Sequence, residues 1–129
     1  MTASVLVVDD EETARMAVSE FLRIKGYEVF EAGTLSDARQ VINQDGADII
    51  ILDVRLPDGY GPHLLAETAL LPNRPQVIIV TAHGEVSMAV EAMKNGAQDF
   101  MEKPVDLLEL EKSVKRAAEI IAMRRELNH

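Results

Sequence analysis

Short apolar runs alternate along this chain with stretches in which apolar positions recur every three or four residues. The runs are SVLVV (4–8), YEVFEA (27–32), DIIILD (48–53), QVIIVT (76–81) and QDFME (98–102). Runs of this length, without internal Gly or Pro and bounded by polar residues, predict strands. DIIIL and VIIV are apolar at consecutive positions, the pattern of parallel strands covered on both faces.

The intervening stretches predict helices. After the first run, Ala14, Val18, Phe21 and Leu22 share one helical face, and Gly26 stands where a glycine ends a helix. The next helix opens with Thr34 and Asp37 at capping-box spacing and carries the stripe Leu35, Ala38, Val41, Ile42. A third starts near Pro62, which suits a first turn. A fourth carries Val86, Ala89, Val90 and Met93 and stops at Gly96; the last opens with Asp106 and Glu109 and continues through Leu107, Leu110, Val114, Ala117 and Ile121. Five βα units in strict alternation, joined by right-handed crossovers, define an α/β fold with an open, doubly wound parallel sheet.

In such a sheet the functional crevice lies beyond the carboxyl ends of the strands. The first run ends in Asp9 and Asp10, the third in Asp53, the fourth in Thr81 and Ala82, and the fifth in Lys103 before Pro104. Each has an ordinary reading alone: Asp10, Glu11 and Glu12 as acids favouring a helix start, Asp53 as the polar end of a strand before a turn, Thr81 as a cap, Lys103 as a surface lysine. Their joint occurrence at four strand ends points instead to a site. Carboxylates about 5 Å apart repel by on the order of 3 kcal/mol per pair at an effective dielectric of about 20. Such a cluster calls for bound protons or a cation. An all-oxygen set suits Mg²⁺ or Mn²⁺; zinc is disfavoured, with no cysteine and no suitable histidine pair at hand.

Composition narrows the partners. The 129 residues fit one compact domain and are 47% hydrophobic, enough for a core. The net charge of −9 argues against direct binding to DNA or RNA and suits a cation or a basic partner. Zero cysteines exclude disulfides and thiolate metal sites. Neither a membrane-length apolar run nor a signal peptide is evident, so a cytoplasmic location is expected.

VDDE after the first run, LDVRLPDG after the third, VTA after the fourth and DFMEKP after the fifth together resemble the receiver domain of two-component response regulators, over about residues 4 to 120. The resemblance implies a flavodoxin-like fold of five parallel strands, order 2-1-3-4-5, with five helices. It implies that Asp53 is the phosphoacceptor for a sensor histidine kinase, with Mg²⁺ held by Asp10, Asp9, Asp53 and the backbone carbonyl of Arg55. It further implies that Lys103 pairs with Asp53 or its phosphate, that the Thr81 hydroxyl and Ala82 amide bind phosphate oxygens, and that Phe100 turns inward as Thr81 moves. Relatives often carry tyrosine at that position; phenylalanine has no hydroxyl to find a new partner. The Lys103-Pro104 bond is expected to be cis. Arg55 and His83, two residues beyond Asp53 and Thr81, are expected to tune the phosphate lifetime. A haloacid-dehalogenase-type phosphatase also uses an Asp nucleophile with Mg²⁺, but its nucleophile follows the first strand and its acidic pair comes late, the reverse of the order here.

The last helix, Leu107 to Leu127, would be about 31 Å long. Past Glu119 a second apolar line appears at Ile120, Met123 and Leu127. Residues 1–120 are therefore read as the receiver and 121–129 as an extension of its last helix. LPDGYG, TAHGEVSMAVEAMKNGAQDFMEKP and LLELEKSVKRA are most similar to receivers of sigma-54-dependent, nitrogen-regulator-type activators. In those an AAA+ ATPase and a DNA-binding domain follow as outputs controlling transcription. Homodimerisation through the last helix, or through the face of the fourth helix, fifth strand and fifth helix, is expected.

Overall fold

The computed structural model describes residues 2–127. In chain order the elements are β1 (Ser4–Val8), α1 (Glu12–Ile24), β2 (Glu28–Ala32), α2 (Leu35–Gln44), β3 (Ile49–Asp53), the two-residue strands β4 (Arg55–Leu56) and β5 (Gly59–Tyr60), α3 (Pro62–Thr68), β6 (Gln76–Thr81), α4 (Val86–Lys94), β7 (Asp99–Glu102) and α5 (Leu107–Leu127). Five strands form one sheet in the order β2-β1-β3-β6-β7, all neighbours parallel. This is the expected 2-1-3-4-5 order of the flavodoxin-like fold, with an antiparallel β4–β5 ribbon added after β3.

The strand sequences explain the layering. Side chains alternate faces along a strand, so each apolar run feeds two cores. Leu6, Val8, Ile50, Leu52, Val77 and Ile79 face one side, where Leu35 and Ala38 of α2, Leu64 and Leu65 of α3 and Ala92 of α4 cover them. Val5, Val7, Ile49, Ile51, Ile78 and Val80 face the other, under Val18 and Leu22 of α1 and Leu110, Val114 and Ala117 of α5. The central strands β3 and β6 are buried at every position, whereas the edge strand β7 is half-buried throughout.

Helix ends follow their local chemistry. The Thr34 hydroxyl accepts the Asp37 N–H at 3.0 Å, and Asp106 Oδ1 accepts those of Leu108 and Glu109 at 2.9 and 3.3 Å. Pro62 lies in the first turn of α3. Gly26 and Gly96, with φ of +98° and +103°, follow α1 and α4, the left-handed conformation that glycine adopts without a Cβ penalty. A second cap on α2 comes from far along the chain: Asp58 Oδ1 and Oδ2, in the turn joining β4 to β5, accept the Leu35 and Ser36 N–H groups at 2.8 and 2.9 Å. Those two bonds hold the Asp58 carboxyl below the usual carboxylate range.

The last turns of α5 stay on the body of the domain. Ile121 is buried, Arg124 Nη1 donates to the Arg74 carbonyl and Arg125 Nη2 to Asp48 Oδ1, both at 2.6 Å. The Lys103-Pro104 peptide bond is cis.

Gly61 brings the ribbon back against the end of β3. Its N–H donates to the Val54 carbonyl at 2.7 Å, and a Cβ placed there would collide with the Asp53 carbonyl oxygen. Gly61→Ala is expected to lower unfolding free energy by about 1–3 kcal/mol, the usual cost of forcing atoms into a filled space. Urea melts of the two proteins measure it.

Candidate functional site

The strand ends gather the candidate side chains, and the period of two sorts them by face. Asp9 continues the Val5–Val7 series and Asp53 the Ile49–Ile51 series, so both belong to the α1/α5 side. Their strands are neighbours, which brings the two carboxylates together. Each residue is only 8% exposed, while Asp10, one residue further along, is exposed. Carboxylate oxygens of Asp9, Asp10 and Asp53 lie within 4.8 Å of one another.

Lys103, following β7, reaches across β6 to this cluster. Its Nζ donates to Asp53 Oδ2 at 2.9 Å and lies 3.3 and 3.2 Å from the two oxygens of Asp9. One ammonium is thus shared by two buried acids, which offsets part of their repulsion. Burial pushes the Asp53 carboxyl above its ordinary value, and the neighbouring charge of Asp9 adds to this; Lys103 and the Arg55 backbone N–H pull it down without cancelling the rise. For Lys103, burial alone would lower the ammonium, but the hydrogen bond and charge of Asp53, with those of Asp9, hold it above the usual lysine range.

Thr81 belongs to the other face, in series with Val77 and Ile79. It is fully buried, and its hydroxyl donates to the Glu85 carbonyl at 3.3 Å. Phe100 pairs with Ile79 in the β6–β7 register and packs half-buried on the same core. Ala82 and His83 are exposed in the loop that follows β6. The His83 side chain is 90% exposed, with Nδ1 3.4 Å from Glu102 Oε2. The same Glu102 oxygen accepts the Gly84 N–H at 3.1 Å. Arg55 sits two residues beyond Asp53, but its guanidinium is turned to the Glu85 carboxylate at 3.2 Å. The structure therefore brings Asp9, Asp10, Asp53 and Lys103 into one cluster and leaves the hydroxyl of Thr81 and the side chains of Arg55 and His83 engaged outside it.

Sequence reading missed two supports of this site. Arg15 Nη1 donates to the Asp9 carbonyl at 2.8 Å while its Nε donates to Glu31 Oε1 at 3.3 Å, bracing the end of β1 against β2. Its position in the first turn of α1, facing the strand ends, is a signal that pattern alone contains. Asp58, which ties the segment after β3 to α2, carries no local signal, because its partners lie 22 and 23 residues away.

The donor set can hold a cation: three carboxylates, with neither thiolate nor imidazole, suit a hard ion that prefers oxygen. The site lies at the carboxyl ends of β1 and β3. A groove of about 550 Å³ lies at the opposite, amino-terminal ends of the strands, lined by Ser4, Asp48, Arg74 and Arg124.

A doubly wound parallel sheet with a buried, lysine-paired aspartate closing its central strand defines a flavodoxin-like domain of receiver architecture. The family described as the response regulator receiver domain matches residues 5–115. The chain belongs to that family, a signalling domain of two-component systems related to sigma-54-dependent activators. Regulatory protein AtoC of Escherichia coli (strain K12) is 35% identical over 125 residues, covering 97% of this chain and 27% of AtoC. The chain thus spans about a quarter of the length of the first curated regulators it matches. Sporulation initiation phosphotransferase F of Bacillus subtilis (strain 168) is 30% identical over 116 residues, 90% of this chain and 94% of that protein. The crystal structure of NtrX from Brucella abortus superposes with a TM-score of 0.90 at 33% identity, covering 99% of this chain and 29% of that one. Among the described residues no helix is long and apolar enough to cross a membrane.

The raised carboxyl of Asp53 sets a pH dependence. A folded-state value above the unfolded one means that the native protein keeps the proton longer, so metal-free stability falls as pH rises from the unfolded Asp value, about 3.9, through the folded one. Asp53→Asn lacks this loss. Its stability relative to the native protein, measured by thermal melts in chelator, is expected to grow across that window and then level off.

Proposed function

We propose that Asp53 accepts a phosphoryl group from the phosphohistidine of a sensor histidine kinase, and that the modified domain changes conformation to control an output, in keeping with transcription regulation. The observation that carries this reading is the Asp53 carboxylate, buried at the end of β3, bonded to Lys103 at 2.9 Å and clustered with Asp9 and Asp10. An Asp53 oxygen attacks phosphorus, the phosphorus–nitrogen bond breaks, and the imidazole nitrogen leaves with the electron pair.

Asp9, Asp10, Asp53 and the Arg55 carbonyl would hold Mg²⁺, with Mn²⁺ a substitute of the same donor preference. When bound, the ion supplies positive charge that offsets the repulsion between these acids and the incoming phosphoryl oxygens. Lys103 neutralises charge on the other side of the acceptor and stays paired with it after transfer. The product carries up to two negative charges and strong acceptor oxygens. Those oxygens draw the Thr81 hydroxyl away from the Glu85 carbonyl and accept the Ala82 N–H. Phe100 packs on the same face of the sheet as Thr81 and moves into the space it leaves, driven by burial. Arg55 and His83 flank the acceptor and tune how long the acyl phosphate survives attack by water.

Two further features support a regulatory assembly. Ile120, Met123 and Leu127 form an exposed line on α5, at 36%, 61% and 84% exposure, suited to pairing with a second copy. The α4/β7/α5 face also exposes Val86, Val90 and Met93. The matched regulators are several times longer than this chain, which supports AAA+ and DNA-binding outputs as the elements controlled. Contact with DNA would then fall to such a domain, since this one is strongly acidic.

Incubation with acetyl phosphate and Mg²⁺ is expected to add one phosphoryl group, seen by intact mass, and Asp53→Asn to add none. A native protein that takes no phosphoryl group from acetyl phosphate or from kinase overturns the proposal. Mg²⁺ alone is expected to raise the melting temperature of the native protein and to have a much smaller effect on Asp10→Asn. Arg55→Ala and His83→Ala should each change the half-life of the phosphorylated form; unchanged decay would remove their tuning role.

A further inference from the structure

We propose that Glu85 is a positioning residue of the acceptor site: it holds the Arg55 guanidinium and the Thr81 hydroxyl away from Asp53 until a phosphoryl group competes for them. The inference rests on the reading of Asp53 as phosphoacceptor and adds a residue that acts against it.

Glu85 immediately precedes α4 and uses two different groups. Its carboxylate faces the Arg55 guanidinium, with Nε at 3.2 Å from each oxygen. Its main-chain carbonyl accepts the Thr81 hydroxyl at 3.3 Å and the Met88 N–H at 3.2 Å. Arg55 belongs to the segment leaving the acceptor strand and Thr81 to the end of the neighbouring strand, so one residue restrains two groups that flank Asp53. The loop is fastened on its other side as well, by the Gly84 N–H to Glu102. Neither restraint touches Asp53 itself, whose charge partner is Lys103.

The arrangement makes Arg55 a group with two alternative anions. A guanidinium pairs with a carboxylate or a phosphoryl group in similar forked geometry, and a phosphoryl group on Asp53 presents up to two charges where Glu85 presents one. Arg55, two residues along the chain, can exchange one anion for the other at little net cost. Once its carboxylate is released, Glu85 no longer fixes the turn whose carbonyl holds Thr81. Exchange at Arg55 and release of Thr81 are thereby coupled through one residue. Because the Arg55 side chain is 63% exposed, the restraint is weak, and its removal should change rates by about two- to fivefold rather than by orders of magnitude.

The test is a double-mutant cycle. Initial rates of phosphorylation by acetyl phosphate with Mg²⁺ are followed by intact mass for the native protein, Glu85→Gln, Arg55→Ala and the double variant, with urea melts confirming that each is folded. Glu85→Gln is expected to react about two- to fivefold faster than the native protein. In the Arg55→Ala background the same change should have no further effect, and Glu85→Asp should return toward the native rate. A purely structural role would not depend on Arg55. An equal increment in both backgrounds, or a Glu85→Gln protein no faster than native, overturns this inference and leaves the phosphoacceptor reading standing. A native protein that takes no phosphoryl group overturns both.

Discussion

The structure turns on one electrostatic constraint: a carboxylate must be kept buried, ionisable and approachable at the end of a central strand, beside two more acids. The fold meets it with geometry. Parallel strands end together, so Asp9 and Asp53 emerge side by side from neighbouring strands, and Lys103 arrives from beyond the edge strand to bond Asp53 at 2.9 Å and share Asp9. One ammonium cannot neutralise three carboxylates. The residual negative charge leaves a cluster that can hold a cation, and Asp10, the exposed member, is the one that costs least to leave partly uncompensated.

Rigidity around this cluster comes from elements that do not take part in it. The β4–β5 ribbon folds back so closely that Gly61 abuts the Asp53 carbonyl. Asp58, in the turn of the same ribbon, caps α2, so the segment leaving β3 is anchored to a helix on the sheet face opposite the acids. Arg15 ties the Asp9 carbonyl to Glu31 of β2. These contacts hold the backbone on either side of the acids, which lets their side chains carry the charge without displacing the strands.

The sheet also separates the acidic cluster from Thr81 and Phe100. Asp9 and Asp53 continue strand positions that face α1 and α5, whereas Thr81 and Phe100 face α4. At the strand ends the two faces are joined by the loop after β6 and the segment after β3. Those are the two segments joined by Arg55 and Glu85.

Much of this was legible in the residue order. Consecutive apolar residues in β3 and β6 are dictated by burial on both faces, and the five βα units follow from alternation, so a parallel sheet with Asp9, Asp10, Asp53, Thr81 and Lys103 at its strand ends could be read without coordinates, while the strand order came from the family resemblance. Thr34 and Asp106 announce their helices because a capping side chain acts within three residues. What the chain did not disclose are contacts between segments distant along it: Asp58 on α2, Arg15 on the Asp9 carbonyl, Arg125 on Asp48, Glu85 on Arg55. Periodicity and capping are short-range rules and fix elements and their order. The partner of an individual charged side chain depends on where loops pass one another in space, and that was settled only when the sheet closed its two cores and brought the strand ends together.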